Sequence, residues 1–159
     1  MASNPLTRLM ESDNVIKNAR GFTLIELLIV IVVVAILTAI AYPSYTQFLI
    51  RSNRNVAKSD LVELQAWMER NYSLTNSYAS LPDGTAVSIA SLPFAKSPRD
   101  SGAAPRYVIT FGAEPTATTY TLTATPQSNQ PDNDCKILSI TGANVRTASG
   151  PASASCWSN

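Results

Sequence analysis

The sequence predicts an α+β chain: one long N-terminal α-helix, its first half transmembrane, packed on a small antiparallel β-sheet. Three observations point there. Residues 22–41 form a 20-residue apolar run with one formal charge, Glu26. Ala57, Leu61, Leu64, Met68 and Tyr72 then recur at steps of four, three, four and four, which places them on one stripe of a helix. Beyond residue 105, short Thr-rich segments alternate apolar and polar residues, the two-residue period of a half-buried strand.

Each element follows in order. Residues 1–21 are polar, carry Arg8, Lys17 and Arg20 against Glu11 and Asp13, and read as a cytoplasmic leader, with Met10 an alternative start. At about 1.5 Å per helical residue, residues 22–41 span roughly 30 Å, the thickness of a bilayer core. A signal peptide has a shorter apolar core and ends in a small-residue cleavage site. This run instead leads into helix-compatible sequence and reads as a retained span. Lys17 and Arg20 lie nearer its apolar edge than Arg51 does, which favours a cytoplasmic N-terminus. Pro43 removes one backbone donor and predicts a kink or local melting. Residues 22–51 are the membrane half of the helix, and residues 52–159 a globular domain outside the membrane. The helix is expected to end between Asn71 and Tyr78, where Asn, Ser and Thr accumulate.

Residues 81–105 read as a Pro-rich connector. Strands are expected at 107–111, 120–125 and 136–141, with a loop at 112–118 and a turn at 142–144. The stripe from Ala57 to Tyr72 would cover their apolar face. Cys135 and Cys156, in this Thr-rich region behind a membrane-directing segment, suggest one disulfide in an oxidising compartment; two unpaired thiols are the alternative. A disulfide would close a loop of 20 intervening residues, worth about 3 kcal/mol.

Little here suggests an enzyme. The chain has no His, and no nucleophile stands beside a base. No cofactor motif appears, so neither a cofactor nor a metal is expected. Asp132 and Asp134 read as a solvated turn before Cys135 rather than a calcium site. Tyr72, Tyr78, Tyr107, Tyr120, Trp67 and Trp157 sit at core spacing rather than forming a stacking surface. Without the leader's charges, nine Lys/Arg face nine Asp/Glu, so no basic bias supports nucleic-acid binding. Convergence of Lys96, Arg99, Arg106, Lys136 and Arg146 on one face would reopen that question.

The stretch RGFTLIELLIVIVVVAILTAIAYPSY resembles the N-terminal segment of type IV pilin precursors. The segments YTLTATPQSN, DNDCKILSITGANVRT and SASCW resemble, more loosely, the C-terminal portion of PilE-like pilins, whose paired cysteines close a terminal loop. The resemblance implies a pilin fold of the type IVa class. A prepilin peptidase would cut between Gly21 and Phe22 and the new Phe22 amine would be methylated. Glu26 would pair with that amine on a neighbouring subunit, and Pro43 would be the helix-interrupting proline. It implies a structural subunit of a type IV pilus, most plausibly a minor pilin serving assembly, attachment, twitching motility or DNA uptake. Its partners would be other pilin subunits, the prepilin peptidase/methyltransferase, an inner-membrane assembly platform, and the membrane itself before export to the filament. A DNA-capturing pilin, a major pilin and a pseudopilin of type II secretion are the alternatives.

Overall fold

A computed structural model describes residues 21–158; apart from Gly21, the expected leader lies outside them. Helix α1 spans Leu24–Thr75, 52 residues. The chain divides after Ala41 into two compact units.

In the first unit every described side chain, from Phe22 through Ala41, is exposed. The one hydroxyl in the middle of the run is satisfied locally, since Thr38 Oγ1 donates to the Val34 carbonyl one turn back at 2.7 Å.

The second unit begins with Tyr42, and α1 continues through Pro43. The expected melting is absent from the isolated chain. The proline ring fixes φ near the helical value and removes only one donor, and the Thr46 hydroxyl bonds the Pro43 carbonyl at 2.9 Å. Ala57, Leu61, Leu64 and Met68 are fully buried, and Tyr72 is half-buried at the edge of the same stripe. The helix ends at Thr75, where Asn76 takes a left-handed φ of 54° and its N–H bonds the Tyr72 carbonyl at 2.7 Å. Asn tolerates that conformation at a helix C-terminus better than most residues.

Five strands form one antiparallel sheet in sequence order: β1 (Lys96–Ser97), β2 (Tyr107–Ala113), β3 (Thr121–Pro126), β4 (Leu138–Thr141) and β5 (Arg146–Ala148). The registers Ile109↔Ala124 and Ala124↔Leu138 bring the buried positions of three strands together. Tyr107, Ile109, Leu122, Ala124, Leu138 and Ile140 turn inward and join the helix stripe in one core. The three expected strands are therefore present, and the terminal segment adds the short β5.

The connector needs correction. Residues 81–105 contain strand β1, paired to β2 at Ser97↔Tyr107, and a 3₁₀ turn at Ile89–Ser91. Val87, Leu92 and Ser97 are buried. Scattered prolines punctuate this segment without keeping its apolar residues out of the core.

Cys135 and Cys156 form a disulfide across a sequence separation of 21. Beside it the chain doubles back so closely that a Cβ on Gly150 would lie 2.1 Å from the Asp134 carbonyl oxygen. Only glycine permits that approach, and Gly150 N–H bonds the Cys135 carbonyl at 3.0 Å.

Replacing Cys135 with Ser should lower the thermal midpoint of the chain in detergent by about 10 °C, corresponding to about 3 kcal/mol of lost loop closure. An unchanged midpoint, measured by near-UV circular dichroism, would show that the bridge adds nothing to stability.

Candidate functional site

The N-terminal end of α1 carries the residues on which processing and assembly would act. Gly21, Phe22 and Thr23 precede the helix in non-helical backbone, and Phe22 is 89% exposed. Glu26 lies in the first turn. Its carboxylate Oε2 accepts the Thr23 N–H at 2.8 Å and the Thr23 hydroxyl at 2.9 Å. The Glu26 N–H in turn bonds Thr23 Oγ1 at 3.2 Å. This is a reciprocal capping box: Thr23 is the N-cap, and its carbonyl accepts the Leu27 N–H at 3.2 Å as the helix begins. With Phe22, Leu27, Ile29 and Val30, the exposed Glu26 lines an open groove whose other walls are hydrocarbon. Sequence reasoning picked out Glu26 and missed Thr23. The signal was present in the Thr-x-x-Glu spacing ahead of an apolar run.

The helix meets the disulfide loop through a buried polar network. Arg54 clasps Asp132 with both carboxylate oxygens engaged, Nε to Oδ2 at 2.7 Å and Nη2 to Oδ1 at 2.6 Å. The Tyr107 hydroxyl donates to Asp132 Oδ2 at 2.6 Å, and the Cys135 N–H donates to Oδ1 at 3.1 Å. Gln130 extends the network, donating to the Ile50 carbonyl at 2.9 Å and accepting from Asn53 Nδ2 at 3.0 Å. Burial alone would raise the Asp132 carboxyl, but the bonds from Arg54, Tyr107 and the Cys135 N–H outweigh it and hold it below the usual carboxylate range. Burial and the Asp132 bond push the Tyr107 phenol upward. The reading of a solvated turn is thus wrong for Asp132, whose side chain is fully buried. Its partner lies 78 positions away, so no local pattern reveals it. Among the described residues no group of three or more metal-ligating side chains gathers.

The aromatic residues are core or half-buried: Tyr78, Tyr107 and Tyr120 are buried, and Trp67, Tyr72 and Trp157 pack against the core from its edge. Tyr78 packs between Tyr72 and Tyr120, with ring centroids 4.4 and 4.7 Å away. The Tyr78 and Tyr120 hydroxyls both donate to the Glu69 carboxylate. Burial, then Glu69, pushes the Tyr78 phenol up to about 12.

Lys96, Arg99, Arg106, Lys136 and Arg146 do not converge on one face. Lys96 lies on β1 and Arg146 on β5, at opposite edges of the sheet. Arg99 is paired with Asp60 and Glu63 and covers the Phe94 ring. Arg146 instead sits 5.5 Å above Trp157. With Asn55, Lys58, Ser59, Val62 and Trp157 it lines an open cleft of about 420 Å³. Burial, then nearby Arg54, lowers the Lys58 ammonium.

Comparison with known families bears directly on this arrangement. Residues 43–139 match the family described as type IV minor pilin ComP, DNA uptake sequence receptor. The chain belongs to this family of type IV pilins. Residues 16–42 of the pilin match a second motif, the prokaryotic N-terminal methylation motif. Two curated relatives are pilins as well. The type IV major pilin protein PilA of Myxococcus xanthus is 42% identical over 60 residues, 38% of this chain and 27% of that one. The type IV wide pilus major component PilA4 of Thermus thermophilus is 42% identical over 64 residues, 40% of this chain and 49% of that one. The pilin thus matches about a quarter to a half of those relatives' length. Among solved structures, a type IV pilin from Shewanella oneidensis is 25% identical, covers 69% of this chain and 99% of its own, and superimposes with a TM-score of 0.46. The non-core minor pilin PilV of Neisseria meningitidis is 16% identical over 65% of this chain and 89% of its own, with a TM-score of 0.44.

Asp132→Asn should destabilise the pilin by about 2–3 kcal/mol at pH 7, because the partly buried Arg54 loses its counter-charge. The wild-type advantage comes from a carboxyl held below its unfolded value of 3.8. It is present above that pH and fades as pH falls below it. Urea unfolding of both forms at pH 7 and pH 2.5 should show the gap closing in acid. A constant gap would mean the charge is not what stabilises the contact.

Proposed function

We propose that this pilin is a minor subunit of a type IV pilus, held in the inner membrane by residues 22–41 until it is drawn into a filament. The single observation that carries this reading is the bare helix. Fourteen large apolar side chains from Phe22 to Ile40 are exposed among the described residues. Leaving them in water forfeits on the order of 20 kcal/mol at about 1.5 kcal/mol each. Lipid or like helices must cover them.

The methylation motif supports processing between Gly21 and Phe22 by a peptidase that also methylates the new amine. Cleavage creates a cation beside a carboxylate in hydrocarbon. Pairing Glu26 with the Phe22 amine of a neighbour neutralises both and selects one axial register, since an unpaired charge in that setting is costly. The N-terminus would start on the cytoplasmic side, and the disulfide domain would lie on the oxidising side. Pro43 lies inside the helix and would let it adjust as subunits pack.

The family description favours a second, compatible role in DNA uptake. The exposed cleft beside β5 suits it better than a broad basic face. Lys58 and Arg146 would meet phosphates, while Trp157 would offer a ring beside them. Arg54 and Arg99 are already paired with carboxylates.

Glu26→Ala should leave the processed subunit in the membrane at wild-type amounts but cut its recovery in sheared filaments at least tenfold. Normal recovery would remove Glu26 from assembly. For DNA, the purified pilin in detergent should shift a short duplex at 20 mM salt, and Lys58→Gln with Arg146→Gln should lower the salt slope by about 2. No shift at that salt would end the DNA reading.

A further inference from the structure

We propose that Thr23 is a positioning residue for assembly: its capping box holds the Glu26 carboxylate ready to receive the amine of an incoming subunit. The proposal rests on the acid–amine reading above and adds a residue that reading does not contain.

The geometry comes from three bonds. Thr23 gives its N–H and its hydroxyl to one carboxylate oxygen, and receives the Glu26 N–H on its own hydroxyl oxygen. Two backbone donors of the first helical turn are involved. In water such donors can be left to solvent, but in hydrocarbon nothing else can meet them. The positive end of the helix also favours a carboxylate here. Glu26 is therefore satisfied before any partner arrives, which accounts for a lone acid being tolerated in the membrane-stored subunit.

The box does not use up the carboxylate. An ionised carboxylate offers about four acceptor sites, and Thr23 takes two of them. Capacity remains for an ammonium. The side chain that receives it is already anchored by two hydrogen bonds, so the incoming amine need not order a free glutamate. Phe22 lies one turn before Glu26 and, with Leu27, Ile29 and Val30, lines an open apolar groove beside it; lipid or a neighbouring helix that closes this groove strengthens the pair. Without the hydroxyl, the carboxylate keeps one backbone donor and gains rotamers that point away from the neighbour.

The test uses the full-length chain in its own pilus-forming cell. Thr23→Val removes the hydroxyl and keeps a β-branched side chain of the same shape; Thr23→Ser keeps the hydroxyl. Two quantities are read together by immunoblot: processed subunit in the inner membrane, and subunit in sheared filaments. Thr23→Val should lower filament recovery roughly fivefold relative to processed subunit, and Thr23→Ser should stay within about twofold of wild type. Glu26→Gln should itself assemble poorly, and adding Thr23→Val to it should cause no further loss, because both changes act on one contact. Normal recovery of Thr23→Val overturns the proposal. So do equal losses for Val and Ser, an added loss in the Glu26→Gln background, or a Thr23→Val chain that stalls uncleaved, since Thr23 would then serve folding or the cut. If Glu26→Gln assembles normally, the acid–amine reading falls as well.

Discussion

A helix that its own chain does not cover is the constraint on which the rest of this structure depends. Residues 22–41 carry almost no polar group, yet among the described residues their side chains are exposed. The same helix changes character near Ile50, the first buried residue along it. From Ala57 to Met68 it becomes one wall of an ordinary core, closed by six inward-facing residues of the sheet. One continuous element thus has two surfaces with opposite demands: the second is satisfied within the molecule, and the first can be satisfied only by something else.

The polar groups follow the same division. In the globular unit, several buried polar groups find partners that are distant in sequence. Arg54 and Asp132 tie the helix to the disulfide loop, and Gln130 caps the Ile50 carbonyl where burial begins. Glu69 plays a comparable part at the other end of the helix, collecting two tyrosine hydroxyls. In the bare helix the polar groups are few and close in sequence: Thr38 bonds its own backbone, and Thr23 and Glu26 bond each other. A segment without tertiary cover has only local partners to offer.

That difference explains what was legible in the sequence. Periodicity revealed the helix stripe and three strands, because burial on one face leaves a repeating pattern. Spacing within the N-terminal motif revealed Glu26 and would equally have revealed Thr23. Composition placed Cys135 and Cys156 in one bridge. Strand β1 escaped notice because it is two residues long and sits among prolines, held by its pairing to Tyr107 and Val108. Asp132 was misread because its neighbours in sequence are polar while its partner is far upstream. Charge counts say nothing of where the cations stand: β1 and β5 lie at opposite sheet edges, and only the topology separates Lys96 from Arg146.

The central claim is that the apolar helix exchanges lipid for other pilin helices. A photo-activated cross-linker placed at Val32, midway along the bare segment, tests it most directly in living cells. Irradiation before pilus assembly should give adducts with phospholipid, and irradiation of sheared filaments should give adducts with a second pilin subunit. A probe that couples to water in both states, or a mature chain that no longer contains Val32, would contradict the account.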